Sequence, residues 1–123
     1  MTKIFLTVLG IAYLALAGWC MSQPAKTAAS IGFEFRSASG QSEYFTIYGG
    51  LQLGLGLIFL FPLVRPDSLA FALIASLLVH GGLILARGIS LVLYSGISSM
   101  TWGFAVLELV LFLVSLLLWT KQS

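Results

Sequence analysis

Residues 68–93 read SLAFALIASLLVHGGLILARGISLVL. Only His80 and Arg87 in this run can carry a charge near neutral pH, and its apolar residues do not alternate as in a half-buried strand. About 20 residues of helix, rising about 1.5 Å each, cross the roughly 30 Å of hydrocarbon in a bilayer. The run is therefore long enough to span one. Three further stretches match it, at 4–21, 44–63 and 101–119, and the four fill most of the 123 residues. Backbone groups in lipid must be hydrogen-bonded internally, and continuous Leu, Ile and Val runs are not the short alternating segments of a barrel. The composition agrees: 59% of residues are hydrophobic and 8% charged, against about a quarter charged in soluble domains, and mean hydropathy is +1.07. An ordinary soluble domain is excluded. The expected fold is all-α, an integral-membrane four-helix up-down bundle forming one domain over residues 1–123.

The connections order these helices. The long loop of the bundle lies between helices one and two, at residues 22–43, where Pro24 stops the first helix. Within it Ile31, Phe33 and Phe35 alternate with Gly32, Glu34 and Arg36, a period of two that predicts an extended piece with a hairpin turn at Ser39-Gly40. Such a piece would serve either as a lid over the bundle mouth or as an interfacial segment dipping aromatic rings among headgroups. Arg65-Pro66-Asp67 predicts a tight turn, with Asp67 or Ser68 as N-cap of helix three, and residues 94–100 a Gly/Ser-rich turn. Short connections make helices two, three and four antiparallel neighbours and put both termini on one side. That side collects Lys3, Arg65 and Lys121 against Lys26 and Arg36 opposite, which favours cytoplasmic termini. The first stretch also has the look of a secretory signal, with Lys3 and the small residues Ala15, Ala17 and Gly18. Its length and the bulky Trp19 favour a retained helix.

Net charge is +2 from scattered residues, so there is no basic stripe for nucleic acid. The single cysteine, Cys20, excludes an internal disulfide and a multi-cysteine metal site and reads as a small packed hydrophobe. One histidine, with no HExxH, no GxSxG and no phosphate loop, leaves no metal site and no nucleophile motif to expect.

The informative positions are polar residues inside apolar helices, where a charge costs a few kcal/mol unless paired or wetted. Arg87 lies six residues before Leu93 and Glu108 seven after Thr101, which puts both roughly 9 to 11 Å below one surface. They can meet across the hairpin. Gln52 and His80 match in depth as a second tier. Tyr48 and Gln52 are four apart, and His80 and Arg87 seven apart, so each pair should share a helix face. Tyr48, Gln52, His80, Arg87 and Glu108 could then line one cleft opening toward the long loop, with Glu43 at its rim. The alternative is a structural Arg87–Glu108 pair, with Gln52 and His80 in ordinary interhelical hydrogen bonds. Gly50 and Gly54 have the GxxxG spacing of a close helix approach, inside the bundle or between two chains, and Gly81 and Gly82 could accept such an approach or leave room for a ligand tail. Trp19, Trp102 and Trp119 read as interface anchors.

At Glu43, the run from Tyr48-Gly49-Gly50 through Gln52, Gly54 and Gly56, the Leu85-Ala86-Arg87-Gly88 stretch and Glu108, the chain resembles a bacterial DoxX-like family of four-helix membrane proteins carrying a domain of unknown function. The resemblance covers nearly the whole chain, although the first helix and the long loop match only in type. It implies a four-helix bundle of the bacterial inner membrane and supplies no substrate or catalytic role. More distant DoxX-like relatives include subunits associated with quinol oxidation and membrane-protein assembly factors, which bear on this chain only by analogy.

A guanidinium can hold a carboxylate, phosphate or quinone-like oxygen, and His80 and Glu108 could exchange protons with a ligand. The leading expectation is a non-enzymatic protein whose polar intramembrane cleft binds a lipid-like or quinone-like ligand, or which serves as an accessory or assembly subunit beside a membrane partner. No cofactor is called for beyond such a quinone or lipid. The second expectation is a small redox or isomerase-like membrane enzyme using His80 or Glu108 for proton transfer. The third is a transporter or proton pathway.

Overall fold

The computed structural model describes residues 1–122. Among these the chain is helical with no strand. Helix α1 (Thr2–Ser22) ends where Gln23 leaves helical geometry. Pro24, which lacks an N–H to continue the ladder, instead opens the short helix α2 (Pro24–Ser30) at its first position. Gly32 then reverses the chain with φ +88°. Its N–H donates to Ala29 O (3.1 Å) and that of Phe33 to Ala28 O (2.8 Å). This paired closure needs a left-handed residue, which glycine adopts without a Cβ penalty.

The expected hairpin at Ser39-Gly40 is not formed. Both residues lie inside a second short helix, α3 (Ala38–Tyr44), because Ser37 caps it: its backbone is extended and its Oγ accepts from Gly40 N at 3.1 Å. Only residues 33–36 remain irregular. α3 runs into a π-helical stretch (Phe45–Leu51), then α4 (Gln52–Leu60) and a 3-10 turn (Phe61–Leu63), making one apolar rod over Ala38–Leu63. The second helix thus begins six residues before the expected 44. A 3-10 turn at Pro66–Ser68 leads into α5 (Leu69–Leu93), and α6 covers Ser99–Gln122. Ser68 occupies the N-cap of α5, but its hydroxyl donates back to Arg65 O (2.7 Å) rather than capping.

Four rods, Thr2–Ser22, Ala38–Leu63, Pro66–Leu93 and Ser99–Gln122, are long and apolar enough to cross a membrane. Large apolar side chains such as Ile4, Val8, Phe71, Leu78, Leu85, Val106 and Leu113 stand exposed around the outside, the surface a multi-pass protein turns to lipid. α1 packs chiefly on α4, and α5 on α6. The two pairs meet through a core of Leu6, Leu9, Phe59, Ala72, Leu73 and Leu118 near the termini. A second cluster, Cys20, Ala28 and Tyr44, closes the loop end.

The close approach of α1 to α4 does not use Gly50 or Gly54, where an added Cβ would meet open space. It uses Gly10 and Gly56, and beside them Gly49 against Met21. The reason is helical phase. Buried Tyr44 and Gly49 are five apart, the spacing of the π stretch, and buried Gly56 follows seven later, two turns of α-helix. At about 100° per residue, Gly50 and Gly54 then turn away from α1.

Candidate functional site

Arg87, late on α5, and Glu108, early on α6, meet as their depths predict. Nε donates to Oε1 and Nη2 to Oε2, both at 2.9 Å. This forked geometry joins two planar groups by parallel hydrogen bonds, the strongest arrangement a guanidinium offers a carboxylate. The pair is partly enclosed, with the side chains 29% and 14% exposed. Glu108 has both oxygens engaged, while Arg87 keeps Nη1 for another partner. Tyr48 on the π stretch lies within electrostatic reach of Arg87. Its ring stacks on Tyr44 (centroids 4.6 Å apart, 15° between planes) and meets Phe33 at 82°. Its hydroxyl makes no hydrogen bond among the described residues.

His80 belongs to a different, sealed arrangement. It is 0% exposed. Its Nδ1 lies 2.7 Å from Ser76 O, and a carbonyl only accepts, so Nδ1 carries the proton. Nε2 is then the acceptor for the Tyr13 hydroxyl at 2.9 Å. Ser115 Oγ donates to Leu111 O (2.8 Å), which leaves Ser76 Oγ to donate to Ser115 Oγ (2.8 Å). The network therefore ties α1, α5 and α6 together at mid-depth with every polar atom satisfied. Such bonds average under about 1 kcal/mol each between membrane helices. Tyr13→Phe orphans a buried Nε2 and is expected to lower stability by about 1 kcal/mol in detergent unfolding. Nitrogen NMR of labelled protein, which has one histidine, should show the Nδ1–H tautomer, and Tyr13→Phe should keep it, because the Ser76 carbonyl still takes that proton, while the Nε2 signal shifts on losing its donor.

The five expected cleft residues are thus divided. Arg87 and Glu108 bond each other, Tyr48 lies within electrostatic reach of Arg87, and His80 is bonded in its own network, with Glu108 within electrostatic reach of it. Gln52 is half-buried at the start of α4, and its side-chain amide has no hydrogen-bond partner among the described residues. Glu43 lines a cavity at the loop end together with Glu34, Phe33, Phe35, Tyr44 and Tyr48. Tyr13, Ser76 and Ser115 were not among the expected residues. Ser76 is visible in retrospect as the position four before His80, and Tyr13 as a phenol in the middle of a span. Gly81 faces Phe112, whereas nothing covers Gly82.

No group of three or more metal-ligating side chains occurs among the described residues. Trp19 and Trp102 stand half exposed on the loop side, while Trp119 packs partly against the terminal core. No curated protein and no solved structure matches the chain significantly. Residues 1–119 match the family described as Domain of unknown function (DUF4345), and this chain, with its four apolar rods and the forked ion pair between the last two, belongs to that family.

Proposed function

We propose that this protein is a non-enzymatic, DoxX-like component of a bacterial inner membrane that binds a lipid-like or quinone-like amphiphile, with cytoplasmic termini. The observation that carries the reading is the unused donor capacity beside the ion pair. Glu108 neutralises the guanidinium and fixes its plane, Nη1 is left over, and the hydroxyl of Tyr48, which is within electrostatic reach of Arg87, is also uncommitted. Two donors in an apolar wall fit an ester, phosphate or quinone oxygen. Proton transfer by His80 gains no support, because both ring nitrogens are already engaged and no surface reaches it. An accessory or assembly role is compatible with the same site, and the uncovered Gly50 and Gly54 would then face the partner helix. Cytoplasmic termini are supported by Lys3, Arg65 and Lys121 on that side.

Native mass spectrometry of protein released from mild detergent tests the ligand. Wild type should retain a lipid or quinone. Tyr48→Phe, and Arg87→Lys, which keeps charge but loses the fork, should each weaken retention roughly 5- to 30-fold, the worth of about 1–2 kcal/mol per lost hydrogen bond. Equal retention in all three proteins would remove the basis of the reading.

A further inference from the structure

We propose that the loop-end cavity is a second site, specific for an organic ammonium group, and that the group is the headgroup of an amine- or choline-bearing lipid. This goes beyond the donor site at Arg87, with which the cavity shares Tyr48, and it asks for the opposite charge.

The cavity measures about 370 Å³, within the range of about 300–1,000 Å³ of small-ligand pockets. Its walls are aromatic. Phe33 meets Tyr44 at 6.0 Å and 87° and Tyr48 at 5.7 Å and 82°, and Phe35 meets Tyr44 at 5.4 Å and 62°. Tyr44 and Tyr48 stack on each other (4.6 Å, 15°), and Phe33 and Phe35 stand at steep angles to that stack, so the exposed Phe33 and the half-buried Phe35 and Tyr48 supply π-faces that attract a cation. Glu34 and Glu43 also line it, and neither has a cationic partner: the ion pairs among the described residues are Arg65–Asp67 and Arg87–Glu108. A site for phosphate or carboxylate would need the reverse.

The aromatic lining is also held in place in advance of any ligand. Tyr44 is 5% exposed, and its hydroxyl donates to Thr27 Oγ1 at 2.9 Å, which fixes its ring from behind. The left-handed turn at Gly32 and the Ser37 cap hold the two ends of the segment bearing Phe33, Glu34 and Phe35. Its depth fits a headgroup. The cavity lies at the loop end of the bundle, the end at which α1 closes near Trp19 and α6 opens near Trp102, and exposed tryptophans occupy the headgroup level of a bilayer.

The full chain in phosphatidylglycerol nanodiscs, doped with phosphatidylethanolamine or phosphatidylcholine, tests this by native mass spectrometry of co-released lipid. Tetramethylammonium and choline titrated into undoped discs form the soluble arm. Wild type should enrich the amine or choline lipid over phosphatidylglycerol. Phe33→Leu with Phe35→Leu, and separately Glu34→Gln with Glu43→Gln, should reduce that enrichment about tenfold. The glutamates are exposed, so the second variant should keep wild-type helicity by circular dichroism. Enrichment of doped lipid supports the headgroup. Binding of tetramethylammonium with no lipid preference overturns the lipid source in favour of a free amine. Neither response, or wild-type enrichment in both folded double variants, overturns the site. Retention at Arg87, read through Tyr48→Phe and Arg87→Lys, is measured separately and does not depend on Glu34 or Glu43.

Discussion

Arg87→Ala is expected to lower stability by about 3 kcal/mol, read by unfolding of the purified protein in mild detergent. The wild-type fork satisfies Glu108 through two 2.9 Å bonds. Removing the guanidinium leaves a carboxylate that is only 14% exposed, flanked along its helix by Val106, Leu107, Leu109 and Val110. An unpaired charge in a membrane helix costs about 2.5–3.5 kcal/mol, and breaking a buried pair from one side costs about 3–5 kcal/mol. Glu108→Ala should do similar damage by stranding the cation. The double variant Arg87→Ala with Glu108→Ala should recover most of the loss, since no charge is then left behind. Single variants as stable as wild type would show that water or headgroups already solvate both groups. The charge swap, Arg87→Glu with Glu108→Arg, separates scaffold from site. It should restore folding but not ligand retention, because the free donor then sits on the other helix.

Gly10→Val and Gly56→Val are the next largest effects expected, about 2–3 kcal/mol each. A Cβ at Gly10 would lie 2.6 Å from Leu60 Cγ and 3.0 Å from Gly56 O. One at Gly56 would lie 2.8 Å from Leu14 Cδ2 and 3.1 Å from Gly10 O. The leucine ends can move, but the two carbonyls belong to helix backbones, so α1 and α4 must part along their contact. Overpacking of this kind typically costs about 1–3 kcal/mol. Gly50→Val and Gly54→Val supply the contrast. Their Cβ atoms enter open space, and changes within about 0.5 kcal/mol are expected. Equal sensitivity at all four positions in the same unfolding assay would refute the assigned helix crossing.

How much of this was legible in advance depended on whether a property runs along the chain or around it. Span number and the level match of Arg87 with Glu108 need only counting at a fixed rise per residue. The start of the second rod was misplaced because residues 38–43 are polar, so hydropathy passes over a turn of helix that the Ser37 cap creates. Alternating Ile31, Phe33 and Phe35 suggested a strand, yet Phe33 and Phe35 turn to the tyrosines of the neighbouring rod. Rotation about each axis was the hidden coordinate. The π stretch re-phases the second rod, so the glycine pair faces outward and Gln52 finds no partner, although spacing alone grouped Gln52 with His80. His80 instead reaches Tyr13 on the first helix, a pairing that no spacing in the sequence encodes.

The placing of both members of the ion pair on consecutive helices, joined by the short connection between Leu93 and Ser99, bears on how the chain is made. During synthesis α5 leaves the ribosome first and brings a cation that the hydrocarbon resists. Its neutralising mate follows on the very next segment, so this hairpin can pass from translocon to lipid as a unit with the two charges in its interior cancelled and Lys121 left at its end. Assembly with the earlier pair of helices need not wait on it.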